Sequence, residues 1–449
     1  MGDFYNEDNN YGLDNSDENG NGNSDRYQRS SHRQPRGDKS EFFEQQSYNQ
    51  SEVNVDQYKN DESGDELSTP IDSFEDMDLG EKILRGVSAY GFDKPSPIQQ
   101  KAIRPFVAGR DIIAQAQSGM GKTATFCIGI LGRLDTSANK TQAIVLAHTR
   151  ELASQIDMVF RQLGSYTDTR FNLSIGGIRV EDNIKELRNK RKPHVIVGTP
   201  GRVMDMIGKR ILPMDNITML VIDEADEMLS GKFQDQIRKV VKAIPSDSQI
   251  GLYSATMNPE FFEVANMFMT NPVNVLVKSE QLTLDGIRQY YINVGEQSNK
   301  FITLCDIYKV MRLNQIIIYC NDKNSVDKLT SDLKDNHFMV SSTHGRMPPQ
   351  EREQTMLDFR KGETRVLVST DLTSRGIDIQ QVSVVINYDV PNRLESYLHR
   401  IGRCGRFGRK GVAINFMTQR DKSKMQNIER YYHTIIEALP ENVAGILDI

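Results

Sequence analysis

Short runs of apolar residues alternate with longer stretches of helical periodicity along most of this chain. In the first half the apolar runs are residues 112–114, 143–146, 195–197 and 219–222. Amphipathic stretches such as 151–163 and 233–243 lie between or after them. Apolar runs that alternate with amphipathic helices are typical of a parallel sheet covered by helices on both faces. The pattern therefore predicts an α/β fold.

The same alternation restarts after about residue 290, which predicts a second domain of the same kind. Its apolar runs are residues 315–319, 365–368 and 382–386. The segment between the two alternations is polar and mixed in composition, so we place a linker at 281–286. The prediction is one α/β domain at 71–280 and another at 287–449.

The first 70 residues differ in composition from the rest of the chain. They are rich in Asn, Asp, Ser, Gly and Gln, and they hold 16 acidic and 6 basic residues. Such a segment buries too little apolar surface to offset the entropy of ordering, so we predict that 1–70 is disordered. The whole chain has a net charge of −6, so the remainder carries +4. Phosphate binding depends on local charge and not on this total.

Cysteine spacing and hydropathy narrow the class of protein. The four cysteines show no Cys-x-x-Cys spacing, which predicts reduced thiols and argues against disulfides or a zinc site. No apolar run approaches the roughly 18 residues that a membrane helix needs. The N-terminus lacks a secretion-signal pattern. We expect a monomeric cytoplasmic protein without a membrane partner, and a nuclear location is the alternative.

A phosphate-binding loop is indicated where an apolar run is followed by a helical pattern. Its residues, all candidates for ATP binding, are Ala116, Gln117, Ser118, Gly119, Met120, Gly121, Lys122 and Thr123. Glycines let backbone N–H groups approach phosphates without a Cβ. In such loops the lysine reaches the β- and γ-phosphates and the threonine hydroxyl binds Mg²⁺. Ala116 replaces the usual first glycine.

Four residues with three carboxylates, Asp223-Glu224-Ala225-Asp226, follow the apolar run 219–222. A phosphate loop needs an acid at the end of a neighbouring strand to hold Mg²⁺, which is the predicted role of Asp223. Glu224 can accept a proton from the attacking water. Alone, such a cluster is typical of a solvated helix N-terminus. Downstream of a phosphate loop we predict a catalytic role.

These four residues spell the signature of the DEAD-box RNA helicases, and the chain from Phe74 to about Gly411 resembles that family motif after motif. The resemblance is strongest to the eukaryotic translation initiation factor 4A subfamily, as in residues 286–291 and 413–416. It implies two tandem RecA-like domains, ATP and Mg²⁺ as cofactors, and single-stranded or duplex RNA as partner. It also implies RNA-stimulated ATP hydrolysis coupled to domain closure, RNA clamping and local unwinding, in translation initiation or a related RNA-processing step.

The resemblance extends the nucleotide site beyond the phosphate loop. Phe74, Phe92 and Gln99 look like the adenine-recognition motif, in which the amide pairs with the base and Phe92 stacks on it. Asp378 is implied to contact the ribose.

Further along the chain, the resemblance makes Arg403 and Arg406 arginine fingers that meet the γ-phosphate across the interdomain cleft, where a rigid guanidinium stabilises transition-state charge. The residues implied to couple hydrolysis to strand separation are Ser254, Thr256, Asp226, His399 and Arg375.

The implied RNA contacts are glycines, hydroxyls and scattered arginines, which suit phosphate and 2′-hydroxyl contacts that position a strand without reading its sequence. In the first domain they are Thr149, Arg150, Gly176, Gly177, Thr199, Pro200, Gly201 and Arg202. In the second they are Arg352, Arg360, Thr370 and Asp371.

Several positions depart from the family pattern, and three of them lie near the implied RNA contacts. His148 stands where proline is usual, and Arg346 stands where the family has an acid. Pro349 takes the place of a glutamine, with Gln350 displaced by one residue. The departures at Arg346 and Pro349 weaken the transfer of the second-domain RNA contact near Arg352, and His148 leaves the backbone shape of its own loop open.

Two other functions stay open at this point. One is an ATP-gated RNA clamp that anchors scaffold or ribonucleoprotein partner proteins, with little productive unwinding. The other is a DNA helicase, which a preference for RNA over the same DNA sequence would exclude, since the 2′-hydroxyl is the difference.

Overall fold

The computed structural model of this chain describes residues 69–116, 119–257, 259–276, 287–310, 315–371, 382–404 and 411–440. The linker predicted at 281–286 lies outside the described residues, as does nearly all of the tail predicted at 1–70. None of the described helices has the length and apolar character needed to cross a membrane.

The first half of the described chain forms a seven-stranded sheet. Its strands are β1 (Ile112–Gln115), β2 (Ala143–Leu146), β3 (Phe171–Ser174), β4 (Val195–Gly198), β5 (Met219–Asp223), β6 (Gln249–Ser254) and β7 (Val273–Leu276). They pair in the order β3-β4-β2-β5-β6-β1-β7, and each pairing is parallel. Alternate residues of one strand enter different cores, as Val145 and Ile144 do. Burial on both faces explains why these strands read as continuous apolar runs.

Helices cover both faces of this sheet. They are α1 (Glu81–Ala89), α2 (Pro97–Val107), α3 (Lys122–Arg133), α4 (Arg150–Leu163), α5 (Val180–Leu187), α6 (Pro200–Gly208), α7 (Ala225–Met228), α8 (Gln234–Ala243) and α9 (Pro259–Asn266). Short 3₁₀ turns lie at Glu75–Met77 and Gly231–Phe233. Buried residues of α1 to α4 pack on one face, and those of α6, α8 and α9 pack on the other.

The second half repeats this plan. Its strands are β8 (Ile287–Gly295), β9 (Ile316–Tyr319), β10 (Val340–Thr343), β11 (Val366–Ser369), β12 (Val384–Asn387), β13 (Gly411–Thr418) and β14 (Glu437–Ala438). They pair in parallel in the order β10-β11-β9-β12-β13-β8-β14. The helices are α10 (Asn299–Val310), α11 (Lys323–Asp335), α12 (Pro349–Lys361), α13 (Leu394–Ile401) and α14 (Lys422–Tyr432), with a 3₁₀ turn at Gln419–Asp421. The predicted α/β fold with two helix-covered parallel sheets is confirmed, and the exact domain limits stay a prediction.

Parallel pairing determines where the candidate functional residues lie. In a parallel sheet every carboxyl end is at the same edge, which is where ligands bind in open α/β folds. The phosphate loop, the acidic cluster and Ser254 follow β1, β5 and β6, which are neighbours in the first sheet. The first-domain RNA candidates follow β2, β3 and β4, the other neighbouring group. One sheet edge therefore carries two adjacent sites.

Candidate active site

The phosphate loop connects β1 to α3 through two glycines in the left-handed region. Gly119 has φ +92° and Gly121 has φ +91°, conformations that favour glycine. A Cβ on Gly121 would lie 2.9 Å from Gln99 Nε2 and 3.1 Å from Ser96 Oγ. The loop thus passes so closely over the start of α2 that no side chain fits at this position.

The start of α2 supports the loop from beneath. Ser96 and Gln99 form a capping box, in which Gln99 Oε1 accepts a hydrogen bond from Ser96 N at 2.7 Å. Ser96 Oγ donates to Met120 O at 2.9 Å. Gln99 is buried, and its oxygen already accepts one bond. The amide predicted to recognise adenine is therefore also a structural support of the phosphate loop.

The two predicted aromatic contacts differ in exposure. Phe74 is buried in the core, while Phe92 is half-buried, and their rings stack with centroids 6.3 Å apart. Of the two, Phe92 has the ring surface available to a base, and Phe74 supports it from behind.

Lys122 is buried at the start of α3, and its Nζ donates to Ala116 O at 2.7 Å. Ala116 N in turn donates to Ser254 O at 3.1 Å, which joins the loop to the end of β6. The positive charge of the lysine is therefore held inside the loop and not in solvent. Thr123, the next residue, is partly exposed.

The carboxylates after β5 form a buried anionic site. Asp223 and Glu224 are both buried, and Glu224 has φ +48°, a left-handed conformation that places it between β5 and α7. Burial and, to a lesser extent, the charge of Glu224 raise the pKa of Asp223 to about 7, although Lys122 acts to lower it. Buried oxygens with excess negative charge suit a hard cation such as Mg²⁺, so Asp223 and Thr123 fit the predicted metal role.

Four of the predicted coupling residues form one hydrogen-bond network. Asp226 Oδ2 accepts from Thr256 Oγ1 at 2.5 Å and lies 3.2 Å from His399 Nε2. Ser254 Oγ donates to Thr256 O at 2.7 Å. His399 is buried on α13 of the second half, so this network crosses between the two sheets.

Arg403 lies one turn beyond His399, where α13 ends. It is buried, and its Nε donates to His399 O at 3.3 Å. The predicted arginine finger is therefore held beside the residue that contacts the acidic cluster.

Sequence reasoning missed Arg400, which is fully buried between these two residues. Its guanidinium donates to Asp371 Oδ1 at 2.5 Å, to Asn321 Oδ1 at 2.8 Å and to Asp389 O at 2.7 Å. Arg400 thus joins α13 to the ends of β9, β11 and β12. Its place between His399 and Arg403 was the available signal. The predicted RNA contact Asp371 is one of its partners.

Two helix N-termini lie side by side at the first-sheet RNA candidates. Thr149 caps α4, with its Oγ1 accepting from Leu152 N at 3.2 Å. Thr199 precedes α6, whose first residues are Pro200 and the exposed Gly201. The helices start after the neighbouring strands β2 and β4. Helix N-termini present free N–H groups and favour phosphate.

Two arginines hold the loop after β3. A Cβ on Gly176 would lie 2.7 Å from Arg150 Nη2, and Gly177 has φ +97°. Arg202 donates to Ile178 O at 2.8 Å and to Asn183 Oδ1 at 2.5 Å. The guanidinium of Arg150 therefore packs directly against this loop, and the left-handed backbone of Gly177 favours glycine at that position.

The second-sheet RNA candidates separate into exposed and paired residues. Arg360 is exposed near the end of α12, and Thr370 follows β11. Arg352 is buried, with its Nη2 3.1 Å from Glu151 Oε1 of α4 in the first half. Arg352 therefore joins the two halves, and its contact with RNA stays a prediction.

The departures from the family pattern lie close to these residues. Pro349 is the first residue of α12, and His148 is partly buried. Arg346 is exposed, and its Nη1 donates to Asn324 Oδ1 at 3.2 Å. Five predicted site residues lie outside the described parts of the chain: Gln117, Ser118, Arg375, Asp378 and Arg406.

The chain is similar to known helicases in both of its halves. Residues 96–264 match the family model described as DEAD/DEAH box helicase, and residues 299–408 match the helicase conserved C-terminal domain. The chain is 53% identical to eukaryotic initiation factor 4A of Drosophila melanogaster, over 82% of this chain and 91% of that protein.

Solved structures of S. cerevisiae Dbp5 are 35% identical to the chain. Dbp5 bound to RNA and ADP BeF3 gives a TM-score of 0.77, over 82% of this chain and 95% of that one. A Dbp5 variant bound to Nup159, Gle1, IP6 and ADP gives 0.58, over 80% and 94%. The described arrangement is therefore more similar to the RNA-bound form.

Proposed function

Because this chain belongs to the DEAD-box family of ATP-dependent RNA helicases, we propose that it hydrolyses ATP in the cleft between its two sheets, and does so when RNA holds those sheets together. The contact of Asp226 with His399 at 3.2 Å carries this proposal. It joins the acidic cluster of one half to the helix that bears Arg403 in the other. A ligand that favours this closed arrangement therefore favours the complete site.

We propose a division of chemical roles between the halves. Lys122 holds phosphate oxygens, and Thr123 with Asp223 holds Mg²⁺, which when bound neutralises phosphate charge. Glu224 accepts the proton of the attacking water. Arg403, with Arg406, stabilises charge on the phosphoryl group. Buried Lys122 and Glu224 on one side and buried Arg403 on the other support this division.

We propose that one RNA strand runs over the carboxyl ends of β2, β3 and β4 and continues over those of β10 and β11. The paired helix N-termini at Thr149 and Thr199 support backbone contacts without sequence reading. The higher similarity to Dbp5 bound to RNA and ADP BeF3 supports the view that this arrangement is the clamped one. A clamp that bends one strand would release a short complementary strand.

The test compares the wild-type chain with Glu224→Gln, with and without single-stranded RNA. We expect RNA to stimulate wild-type ATP hydrolysis, and the variant to lose about 100-fold or more in turnover. The variant should still bind RNA in the presence of a non-hydrolysable ATP analogue. RNA-independent turnover, or full activity of the variant, would defeat the proposal. Multiple-turnover separation of a short duplex distinguishes unwinding from simple clamping.

For the cellular role, we propose cytoplasmic translation initiation, supported by 51–53% identity to initiation factor 4A proteins of several species. Scaffold proteins are the expected partners of a monomeric enzyme. We also propose that the functional domains extend over 71–280 and 287–449. Recovery of a cap-binding scaffold with the tagged protein would support this role, and recovery of splicing-linked proteins alone would contradict it.

A further inference from the structure

A second concave site lies between α14 and the segment that leads into α13. The cavity has a volume of about 550 Å³, in the range of ligand-binding clefts. We call it the α14 cavity. Its basic lining residues are Arg393, Lys424, Arg430 and His433.

The charge of the α14 cavity is strongly one-sided. None of its lining residues is a carboxylate. Lys424 lies 3.8 Å from Asp421, and Arg393 pairs with Glu227 at 3.1 Å, so two of the cations are partly balanced. Arg430 is exposed and makes no ion pair with the residues that the structure describes. The cavity therefore offers positive charge to a ligand.

Apolar surface lies beside these charges. Tyr431 is 46% exposed and Ile435 is 78% exposed, unusually high values for large apolar residues. Leu394 and Ile428 add apolar atoms to the cavity wall. Exposed aromatic and aliphatic side chains next to arginine are typical of protein-binding surfaces.

The position of the cavity separates it from the proposed RNA path. It lies on α13 and α14, which pack together with β13 in one core. The RNA candidates of this half follow β10 and β11, at the opposite end of the sheet order, and although Asp371 contacts Arg400 of α13, neither residue lines the cavity. Arg393 contacts the acidic side of the cleft, but Lys424, Arg430 and Tyr431 make no described contact with the active-site residues.

We propose that the α14 cavity binds an acidic peptide segment of a partner protein. Carboxylates of the peptide pair with Lys424 and Arg430, and one of its apolar side chains packs on Tyr431 and Ile428. The mixture of cations and exposed apolar groups favours this occupant over a free phosphate, which would use the charges alone. This site is distinct from the proposed ATP and RNA sites.

The test uses the full chain and fluorescein-labelled peptides whose binding is followed by anisotropy. One peptide alternates Glu and Asp around a central Phe-Leu pair, and the second has Gln and Asn at the acidic positions. We expect saturable binding of the acidic peptide only. Lys424→Glu with Arg430→Glu should weaken it by at least about tenfold, and Tyr431→Ala should weaken it by a smaller factor.

The matched control is Lys328→Glu with Lys334→Glu, two lysines with the same spacing on α11. These changes should alter peptide binding by less than about twofold, and both double variants should keep RNA-stimulated ATP hydrolysis. Equal binding of the two peptides, or unchanged binding to the α14 variant, would overturn the proposal. It would also be overturned if the α14 variant lost affinity for a poly-uridine oligonucleotide and kept its peptide binding, since the surface would then contact RNA.

Discussion

The two sheets present opposite charges to the cleft between them. The first contributes buried carboxylates at the end of β5, and the second contributes buried Arg403 just beyond the end of α13. Three contacts between residues that the structure describes join the halves, and each has its acid in the first and its base in the second. These contacts are Asp226 with His399 at 3.2 Å, Glu227 with Arg393 at 3.1 Å and Glu151 with Arg352 at 3.1 Å.

This difference explains why one half is insufficient in the proposed mechanism. Buried charges are costly unless they are paired, and in each of these contacts the second half supplies the partner of an acid in the first. The proposed proton acceptor Glu224 lies in the first half, and Arg403, the guanidinium proposed to stabilise the phosphoryl oxygens, lies in the second.

Removal of the Arg403 guanidinium from the second half should have the largest effect on ATP hydrolysis. We expect Arg403→Ala to lower RNA-stimulated turnover by about 10³-fold, because the guanidinium stabilises charge that develops on the transferred phosphoryl group. ATP affinity should change much less. Steady-state kinetics measure both quantities, and thermal unfolding confirms that the variant is folded. Loss of ATP binding with unchanged turnover of bound ATP would contradict the assignment.

Exchange of the charges between Glu151 and Arg352 tests whether the sign pattern itself matters. Each single reversal, Glu151→Arg or Arg352→Glu, places like charges together and should lower ATP hydrolysis at saturating RNA by about tenfold. The double variant should recover most of that activity, because the pair is restored with opposite orientation.

The same double variant separates pairing from RNA contact. If Arg352 also binds RNA, turnover recovers while the RNA concentration needed for half-maximal activity stays raised. A double variant no better than the worse single variant would show that the two residues are not coupled.

The stability of the folded chain should depend on pH through the buried carboxylate of Asp223. The pKa of Asp223 is raised to about 7 in the folded chain, mainly by burial, above the unfolded value of 3.8. Between these values the folded state holds a proton that the unfolded state has lost, so stability falls as pH rises from about 4 to about 7 and then levels off. Asp223→Asn removes this titration. In EDTA without nucleotide, the Tm of the wild type should fall by a few degrees relative to the variant between pH 5.5 and 8.5, and parallel curves would contradict the charge assignment.

The local elements of this fold could be predicted from sequence because they depend on short-range patterns. The run 143–146 became β2 with the same limits, and 151–163 became α4 with one added residue. The run 382–386 was less accurate, since β12 begins at Val384 and Val382 instead forms an isolated bridge with Cys404. Both faces of these strands are buried, so apolar character alone identified them.

The contacts between the halves could not be predicted in the same way. Glu151 and Arg352 are about 200 residues apart in the chain, and no local periodicity relates them. Arg352 was predicted as an RNA contact from the family resemblance, which gave no indication of its pairing with Glu151, and Arg400 was not singled out at all. Pairing of this kind depends on how two complete sheets meet, which no single segment encodes.

The smallest effect is expected at the contact between Arg393 and Glu227, which lies at the solvent-exposed rim of the interface between the halves. Half of the Arg393 side chain and a quarter of Glu227 are exposed, and such pairs contribute about 0.2–1 kcal/mol. Arg393→Gln should therefore weaken RNA binding, measured by anisotropy with a non-hydrolysable ATP analogue, by less than about fivefold at low salt. The deficit should disappear at high salt because exposed charges are screened. Lys328→Gln on α11 serves as the matched loss of one exposed cation and should show no such loss of RNA binding. An effect of Arg393→Gln on RNA binding as large as the effect of Arg403→Ala on turnover would contradict this assignment. So would an effect that is insensitive to salt, because the contact would then be buried and not solvent-exposed.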